Sequence, residues 1–376
     1  MKAQHTSRDG LPPIHLFLEG FGLSGGQRII ALIANGLAAR GRVVVLHAPG
    51  PLRTPAFALH PEVSVKPLTT YGLRRLDALR AMGVRAAQVE GICVATRQRT
   101  VLPIFAGMML GQLRRRGPLR HHTRATLLIQ HLSPLNRRHA NFPPTGSDAL
   151  RSQLARKLYQ LPIQHIAVSD WLAQQAGLHQ VTVIPNAVDP AVFFPSETPR
   201  PRQEVMILGA LARPSPLKGF DLLRDALRSL STHSDRLRLR VVLWPGDEGS
   251  WLDLPDDLVV EQVYCEDDVA LRRFYQSCDA FVFSSRIEGF GLPPLEAMAC
   301  GVPVITTDCG GVRMFAEHER TALLVPLERG AAGIAQAIER LLDDEGLAHS
   351  LREQGLARAS QLTPTQLIER YDAALR

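Results

Sequence analysis

The sequence predicts two doubly wound α/β domains in tandem, on three observations. The chain opens with a strand, a glycine loop, a helix and a second strand, the start of an open parallel sheet. A second α/β series begins after an irregular stretch, Asn186 to Arg202, that carries four prolines. At 376 residues the chain exceeds one ordinary core and suits two domains of roughly 150 to 200 residues each. Ligands of such sheets bind beyond the carboxyl ends of the strands, so the loops that follow strands are where chemistry is sought.

In the first half, IHLFLEG (Ile14 to Gly20) is an apolar strand, and FGLSGG is a glycine loop holding Gly25 and Gly26. A helix follows from about Gln27 to Arg40, then the strand RVVVLHAP from Arg42. The loop lacks a Gly-Lys-Ser/Thr ending and is no Walker A sequence; it offers close backbone approach at a strand end, or only a tight turn. ATLLIQHL (Ala125 to Leu132) is another strand and brings His131 to its carboxyl end. Asn136 to Gly146, rich in proline and arginine, reads as a mobile loop. A helix over Asp148 to Tyr159, the strand HIAVS, a helix capped by Ser169 or Asp170 and the strand VTVIP complete this half.

The second half runs through EVMILGAL (Glu204 to Leu211), the loop ARPSPLKG and the helix FDLLRDALRSL, then LRLRVVLWPG, DLVVEQVY and the helix DVALRRFYQSC. VPVITT and TALLVP are its last strands, and helices at Gly330 to Asp343, Leu347 to Ser360 and Pro364 to Leu375 close the chain.

The composition, 45% hydrophobic and 21% charged, is that of a globular protein. Met1 to Pro13 is polar and lacks the apolar run of a secretory signal, and a cytoplasmic location is expected. The longest apolar run, Val101 to Leu113, is too short to span a bilayer and is expected to be a buried helix. Five cysteines without C-x-x-C spacing predict neither a disulfide framework nor a zinc site.

The net charge of +7 is uneven: residues 1 to 190 hold about 23 Lys and Arg against about eight Asp and Glu, leaving the remainder acidic. Clusters stand at Arg74, Arg75, Arg80 and Arg85, at Arg114, Arg115, Arg116 and Arg120, and at Arg137 and Arg138. They suit peripheral contact with an anionic membrane, an anionic acceptor, or nothing beyond solvated basic helices. Aromatic residues are not interleaved among them, which speaks against nucleic acid.

The most informative stretch is FVFSSRIEGFGLPPLEAMACGVPVITTDCGG, Phe281 to Gly311. A strand breaks into the loop Ser284 to Gly291 and restarts as a helix at Leu292 or Pro293, with Glu288 in the loop and Glu296 one turn into the helix. A helix N-terminus is a ready phosphate site, here with a carboxylate on either side. An ordinary strand, turn and helix is the plain alternative.

This stretch resembles the donor-site signature of the retaining glycosyltransferases of the GT-B fold, family four, the glycogen-synthase-related group. VIPNAVDPAVFFP (Val183 to Pro195) resembles the interdomain segment, LARPSPLKGFDLL (Leu211 to Leu223) the phosphate-binding segment, and SGGQRIIALIANGLAARG the acceptor-domain opening. The pieces occur in order over nearly the whole chain.

The resemblance implies two Rossmann-like domains facing across a cleft: an acceptor domain over 1–190, a donor domain over 191–361, and a helix over 362–376 crossing back to the first. It implies that Arg213, Lys218, Gly26 and Leu292 bind the donor diphosphate and that Glu296 binds the ribose. Gly289, Phe290 and Gly291 are implied to hold the donor sugar through their backbone, and Glu288 and His131 to be the catalytic pair. Gly25 and Gly26 would form the acceptor-side loop. A nucleoside diphosphate sugar is the implied donor substrate, with a hydroxyl acceptor that is a glycan, a lipid-linked glycan or a small molecule. No cofactor and no metal are expected, since two cations and a helix N-terminus can replace magnesium at a diphosphate. Four departures from the family's pattern stand out, the first being that Gly209 is followed by Ala210 and not directly by arginine, so that the assignment of Arg213 rests on its spacing to Lys218. Ala187 replaces a glycine, Val312-Arg313-Met314 replaces a proline-glutamate pair, and EHERTALLVP lacks a usual Asp-Gly-x-x-Gly turn. A nucleotide-sugar epimerase, a phosphorylase and an inactive binding scaffold are the rival readings.

Overall fold

The computed structural model describes residues 10–20, 24–49, 57–68, 75–114, 123–131, 146–197, 204–243, 246, 249 and 252–376. Arg74, Arg115, Arg116, Arg120, Arg137 and Arg138 lie outside them, as do residues 21–23 of the glycine loop and 198–202 of the irregular stretch. So does the loop expected over 136–146, except for its last residue. Among the described residues there are two compact units, one taking those up to Asn186 together with Pro364–Arg376, the other Ala187–Thr363.

In the first unit β1 (Ile14–Phe17), α1 (Gly25–Ala39), β2 (Val44–Ala48) and β3 (Ser64–Pro67) come first. After them come α2 (Arg75–Gln88), β4 (Ile92–Ala95), α3 (Gln98–Arg114), β5 (Arg124–Ile129), α4 (Gly146–Tyr159), β6 (Gln164–Ala167), α5 (Asp170–Ala176) and β7 (Thr182–Val183). The strands form one parallel sheet in the order β3-β2-β1-β4-β5-β6-β7. β1 and β4 are buried at every position, as strands covered on both faces must be. α1 starts where the Ser24 hydroxyl accepts from the Gln27 N–H, and its Ile29, Ile30, Ile33, Ala34, Leu37 and Ala38 recur at helical spacing on the buried side. Each such Ile or Leu contributes about 1.5–3 kcal/mol on leaving water.

The second unit contains β8 (Met206–Leu211), α6 (Phe220–Ser229), β9 (Leu237–Leu243), β10 (Val259–Tyr264), α7 (Asp268–Gln276) and β11 (Ala280–Phe283). It continues with α8 (Leu292–Ala299), β12 (Val304–Thr307), β13 (Leu323–Val325), α9 (Gly330–Asp343) and α10 (Glu345–Ala359). Its sheet is also parallel, in the order β10-β9-β8-β11-β12-β13. In each sheet the strand order reverses once, at the β1/β4 pair and at the β8/β11 pair. At such a switch point the loops leaving two neighbouring strands diverge and open a crevice.

The last helix, α11 (Pro364–Ala374), packs on α1 of the first unit. A Cβ at Gly36 would stand 2.0 Å from Ile368 Cδ1, so only glycine admits this helix. Buried Arg42 meets Asp372 at 2.5 Å and donates to the Leu375 carbonyl at 2.7 Å, while Gln164 donates to the Ala374 carbonyl at 2.8 Å.

The run Val101 to Leu113 forms most of α3, but the helix is not buried as expected. Val101, Ile104 and Met108 are covered, whereas Leu102, Met109, Leu110 and Leu113 are exposed. α3 lies in the outer layer of the unit, where the sheet and α2 can cover only one side of it.

A buried histidine pair joins β1 to β2, and no motif announced it. The Glu90 carbonyl can only accept, so His15 places its proton on Nε2 at 3.1 Å from that oxygen, and His15 Nδ1 accepts from His47 Nε2 at 3.0 Å. Phe17 stacks on His47 with ring centroids 4.7 Å apart. Burial pushes the His15 imidazole down to about 4 and that of His47 to about 3, the latter also opposed by the charges of His15, Arg85 and Lys66. Below the ordinary histidine value the unfolded chain therefore binds protons that the folded chain refuses, and stability falls with pH. Urea unfolding should show a loss on the order of 3 kcal/mol for His15 alone as pH drops from 6.5 to about 4. The His47→Gln variant should show a shallower fall, and a flat wild-type profile would contradict this account.

Candidate active site

In the second unit the loops leaving β8 and β11 meet at the switch point. The β8 loop makes a short turn over Pro216–Lys218 and ends on Gly219, at φ 62°. A Cβ there would stand 2.0 Å from the Ser284 carbonyl, so glycine is required both by the backbone and by the neighbouring loop. The Arg286 N–H donates to the Leu217 carbonyl at 2.9 Å, and its guanidinium binds Asp221 and the Pro216 carbonyl. This seam sets Lys218 against the loop of Glu288.

Lys218 Nζ lies 2.6 Å from Glu288 Oε1, and the Ser285 hydroxyl donates to the same oxygen at 2.9 Å. The charge of Glu288 raises the Lys218 pKa, against desolvation and the charge of Arg213. Lys218 therefore stays protonated through the neutral range, and Arg213 is near enough for the two cations to repel. Arg213, two residues past β8, also donates to the Ala212 carbonyl at 3.4 Å. Lys218 is 42% exposed and Glu288 17%, so both remain open to a ligand.

The backbone of Glu288 is held like a strand residue. Its N–H donates to the Cys309 carbonyl at 2.8 Å, and its carbonyl accepts from the Gly311 N–H at 3.0 Å. A Cβ on Gly311 would stand 2.2 Å from the Gly289 carbonyl and 2.4 Å from the Phe290 nitrogen. The Phe290 ring is core, buried against Phe315, which leaves only its backbone for a ligand. Gly291, at φ 90°, turns the chain into α8, whose first residue is Leu292. Pro293 and Pro294 follow, so within positions 292–294 only Leu292 carries an N–H, and the helix start offers fewer donors than its pattern implied. Glu296 is 4% exposed, and the fully buried Tyr275 hydroxyl donates to its Oε2 at 3.0 Å.

In the first unit the ends of β1, β4 and β5 assemble a second group. Gly25 and Gly26 open α1, and the Gln130 amide donates to the Gly26 carbonyl at 3.3 Å. A Cβ on Gly26 would stand 2.4 Å from Gln130 Oε1. His131 follows β5, and its Nε2 meets Arg97 Nη1 at 2.5 Å. A guanidinium can only donate, so His131 accepts at Nε2 and carries its proton on Nδ1. Glu19 pairs with Arg99 and lies 3.9 Å from Arg97.

Sequence reasoning missed Arg97, Arg99, Glu19, Ser285 and Tyr275. Arg97 was within reach of it, because it stands two residues past an apolar strand at the reversal of strand order. Tyr275 gave no local signal, since only packing brings α7 against α8. Gly219→Ala should cost the second unit about 1–3 kcal/mol in urea unfolding, because it combines a left-handed backbone with a blocked Cβ. An unchanged midpoint would mean that the seam yields.

Residues 202–344 match the family profile described as Glycosyl transferases group 1. D-inositol 3-phosphate glycosyltransferase of Actinosynnema mirum is 30% identical over 199 residues, covering 48% of this chain and 48% of that protein. The chain thus spans about half the length of the curated relatives it matches. Sucrose-phosphate synthase from Thermosynechococcus elongatus superposes with a TM-score of 0.77 at 21% identity, over 96% of this chain and 98% of that one. HepE of Anabaena, solved in complex with UDP-glucose, gives a TM-score of 0.72 at 17% identity over 97% and 99%. Superposition over nearly the whole chain on these structures shows the GT-B fold, two Rossmann-like units, and within the second unit residues 202–344 carry the group 1 glycosyltransferase profile.

Proposed function

We propose that the protein transfers a sugar from a nucleoside diphosphate sugar to a hydroxyl acceptor with retention of configuration and without a metal ion. The observation that carries this reading is Lys218 held at 2.6 Å from Glu288, beside Arg213, at the β8/β11 switch point. A diphosphate leaving group needs fixed positive charge as its oxygen takes up the bonding electrons. Arg213 offers a bidentate fork, Lys218 a compact charge and Leu292 a backbone N–H. Glu296, oriented by Tyr275, is suited to accept from the ribose hydroxyls. Glu288 is suited to orient a sugar hydroxyl and to stabilise positive charge at the anomeric carbon.

In this reading the bond from the anomeric carbon to the phosphate oxygen breaks, and the acceptor oxygen bonds to the same face. The acceptor's proton passes to the departing phosphate, because no enzymic nucleophile is required. The backbones of Gly289, Phe290 and Gly291 would hold the donor sugar, and Gly26 is the first unit's candidate for backbone contact with substrate. His131, which accepts from Arg97 at Nε2, is the first unit's candidate side chain for contact with substrate. HepE, a protein of the same fold, was solved with UDP-glucose, which makes UDP-sugars the first donors to try. The five free cysteines fit a reducing compartment, and we place the protein in the cytoplasm.

Incubation with UDP-, GDP-, ADP- and dTDP-sugars and a hydroxyl acceptor should yield a product whose anomeric proton coupling matches that of the donor. Lys218→Ala and Glu288→Gln should each lower kcat about 10²–10³-fold with the fold retained. A chelator should leave the rate unchanged. Undiminished turnover in either variant would remove the assigned roles, and an acceptor-independent change of the sugar itself would identify an epimerase instead.

A further inference from the structure

The outward face of α3 is unlike that of an ordinary surface helix. Between Arg99 and Arg114 the helix carries no charge at all. Leu102, Ala106, Met109, Leu110 and Leu113 are all exposed, Leu110 by 53% and Leu113 by 75%. At about 100° per residue these five positions fall within an arc of roughly 100°, so they form one continuous apolar stripe. A helix covered on one side normally turns polar residues to water, and this one does not.

The neighbouring α2 widens the surface. The two helices touch backbone to backbone: a Cβ on Gly107 would stand 1.9 Å from the Gly83 carbonyl, and one on Gly111 2.4 Å from that of Ala87. α2 adds exposed Leu76, Val84 and Arg80. Residues 71–120 carry ten arginines and only two acids, Asp77 and Glu90. Of these arginines, Arg80 is exposed on α2, and a segment this basic repels a second copy of itself, because both partners would bring the same charge. It is complementary to a surface that is apolar beneath and negative on top.

We propose that the outer face of α2 and α3 docks on an anionic lipid bilayer, with the leucines and Met109 in the acyl boundary and Arg80 among the headgroups. Among the described residues no helix is long and apolar enough to cross a membrane, so the mode is lying on the surface and not spanning it. The stripe begins three residues after Arg99, and Arg97 just before it binds His131. A docked α3 would therefore bring the lipid surface close to the strand ends that carry Gly26 and His131.

The test is flotation of the full chain with vesicles of phosphatidylcholine alone or containing phosphatidylglycerol, without donor or acceptor, so that it stands apart from the transferase reading. Wild type should float with the anionic vesicles and not with the neutral ones. Leu110→Asp with Leu113→Asp should lower the partition coefficient at least about tenfold, and Arg80→Glu less. These side chains are exposed, so circular dichroism and the thermal midpoint should not change. In a separate variant, Leu110→Trp should be quenched by brominated acyl chains. Absence of flotation, or equal flotation of the aspartate variant, would overturn the proposal. So would a wild-type dimer in sedimentation that the aspartate variant dissolves without any vesicle binding, which would make the face a protein interface.

Discussion

The close approach of two loops at Gly219 is the constraint on which the candidate site depends. Parallel strands buried on both faces cannot turn back directly, so each must leave its end in a loop, and adjacent strands at an order reversal send those loops apart. Here the β8 and β11 loops are drawn together again by the missing side chain at Gly219 and by the three groups that Arg286 binds. That seam sets a lysine from one loop against a glutamate from the other. Gly311 does the same on the far side of Glu288, where its lack of a Cβ lets the backbone of residues 289 and 290 pass. The carboxylate is thus positioned by close backbone approach at two glycines.

The two units solve the problem of buried polarity differently. In the second, the two carboxylates of the candidate site have charged or hydroxyl partners, Glu288 with Lys218 and Ser285, and Glu296 with Tyr275. In the first, two neutral histidines hand one another a hydrogen bond inside the sheet, and burial keeps them neutral. The same unit buries the Arg42 and Asp372 pair to fasten α11, an arrangement that tolerates loss of neither partner because the other would be left charged and dry.

The fold was legible because periodicity carries it. Apolar runs of four to seven residues alternating with helical patterns imply parallel sheets, and the strand, loop and helix at Phe281 to Ala299 stand where their pattern put them. α3 was misjudged because apolar content does not reveal which side of a helix has a neighbour. The donors at α8 were overcounted because a helix start was considered without the two prolines that remove its N–H groups.

By itself the sequence determined the two α/β series, the loops that end their strands, and the chemical types present there: Arg213, Lys218, Glu288, Glu296, Gly26 and His131. Those depend on local spacing, which the chain carries along its length. Only the tertiary structure decided which groups are partners: Lys218 with Glu288 across 70 residues, Arg97 with His131 across 34, and Tyr275 with Glu296. Partnership is set by strand order and by close backbone approach at a few glycines, and both are properties of packing rather than of neighbouring residues.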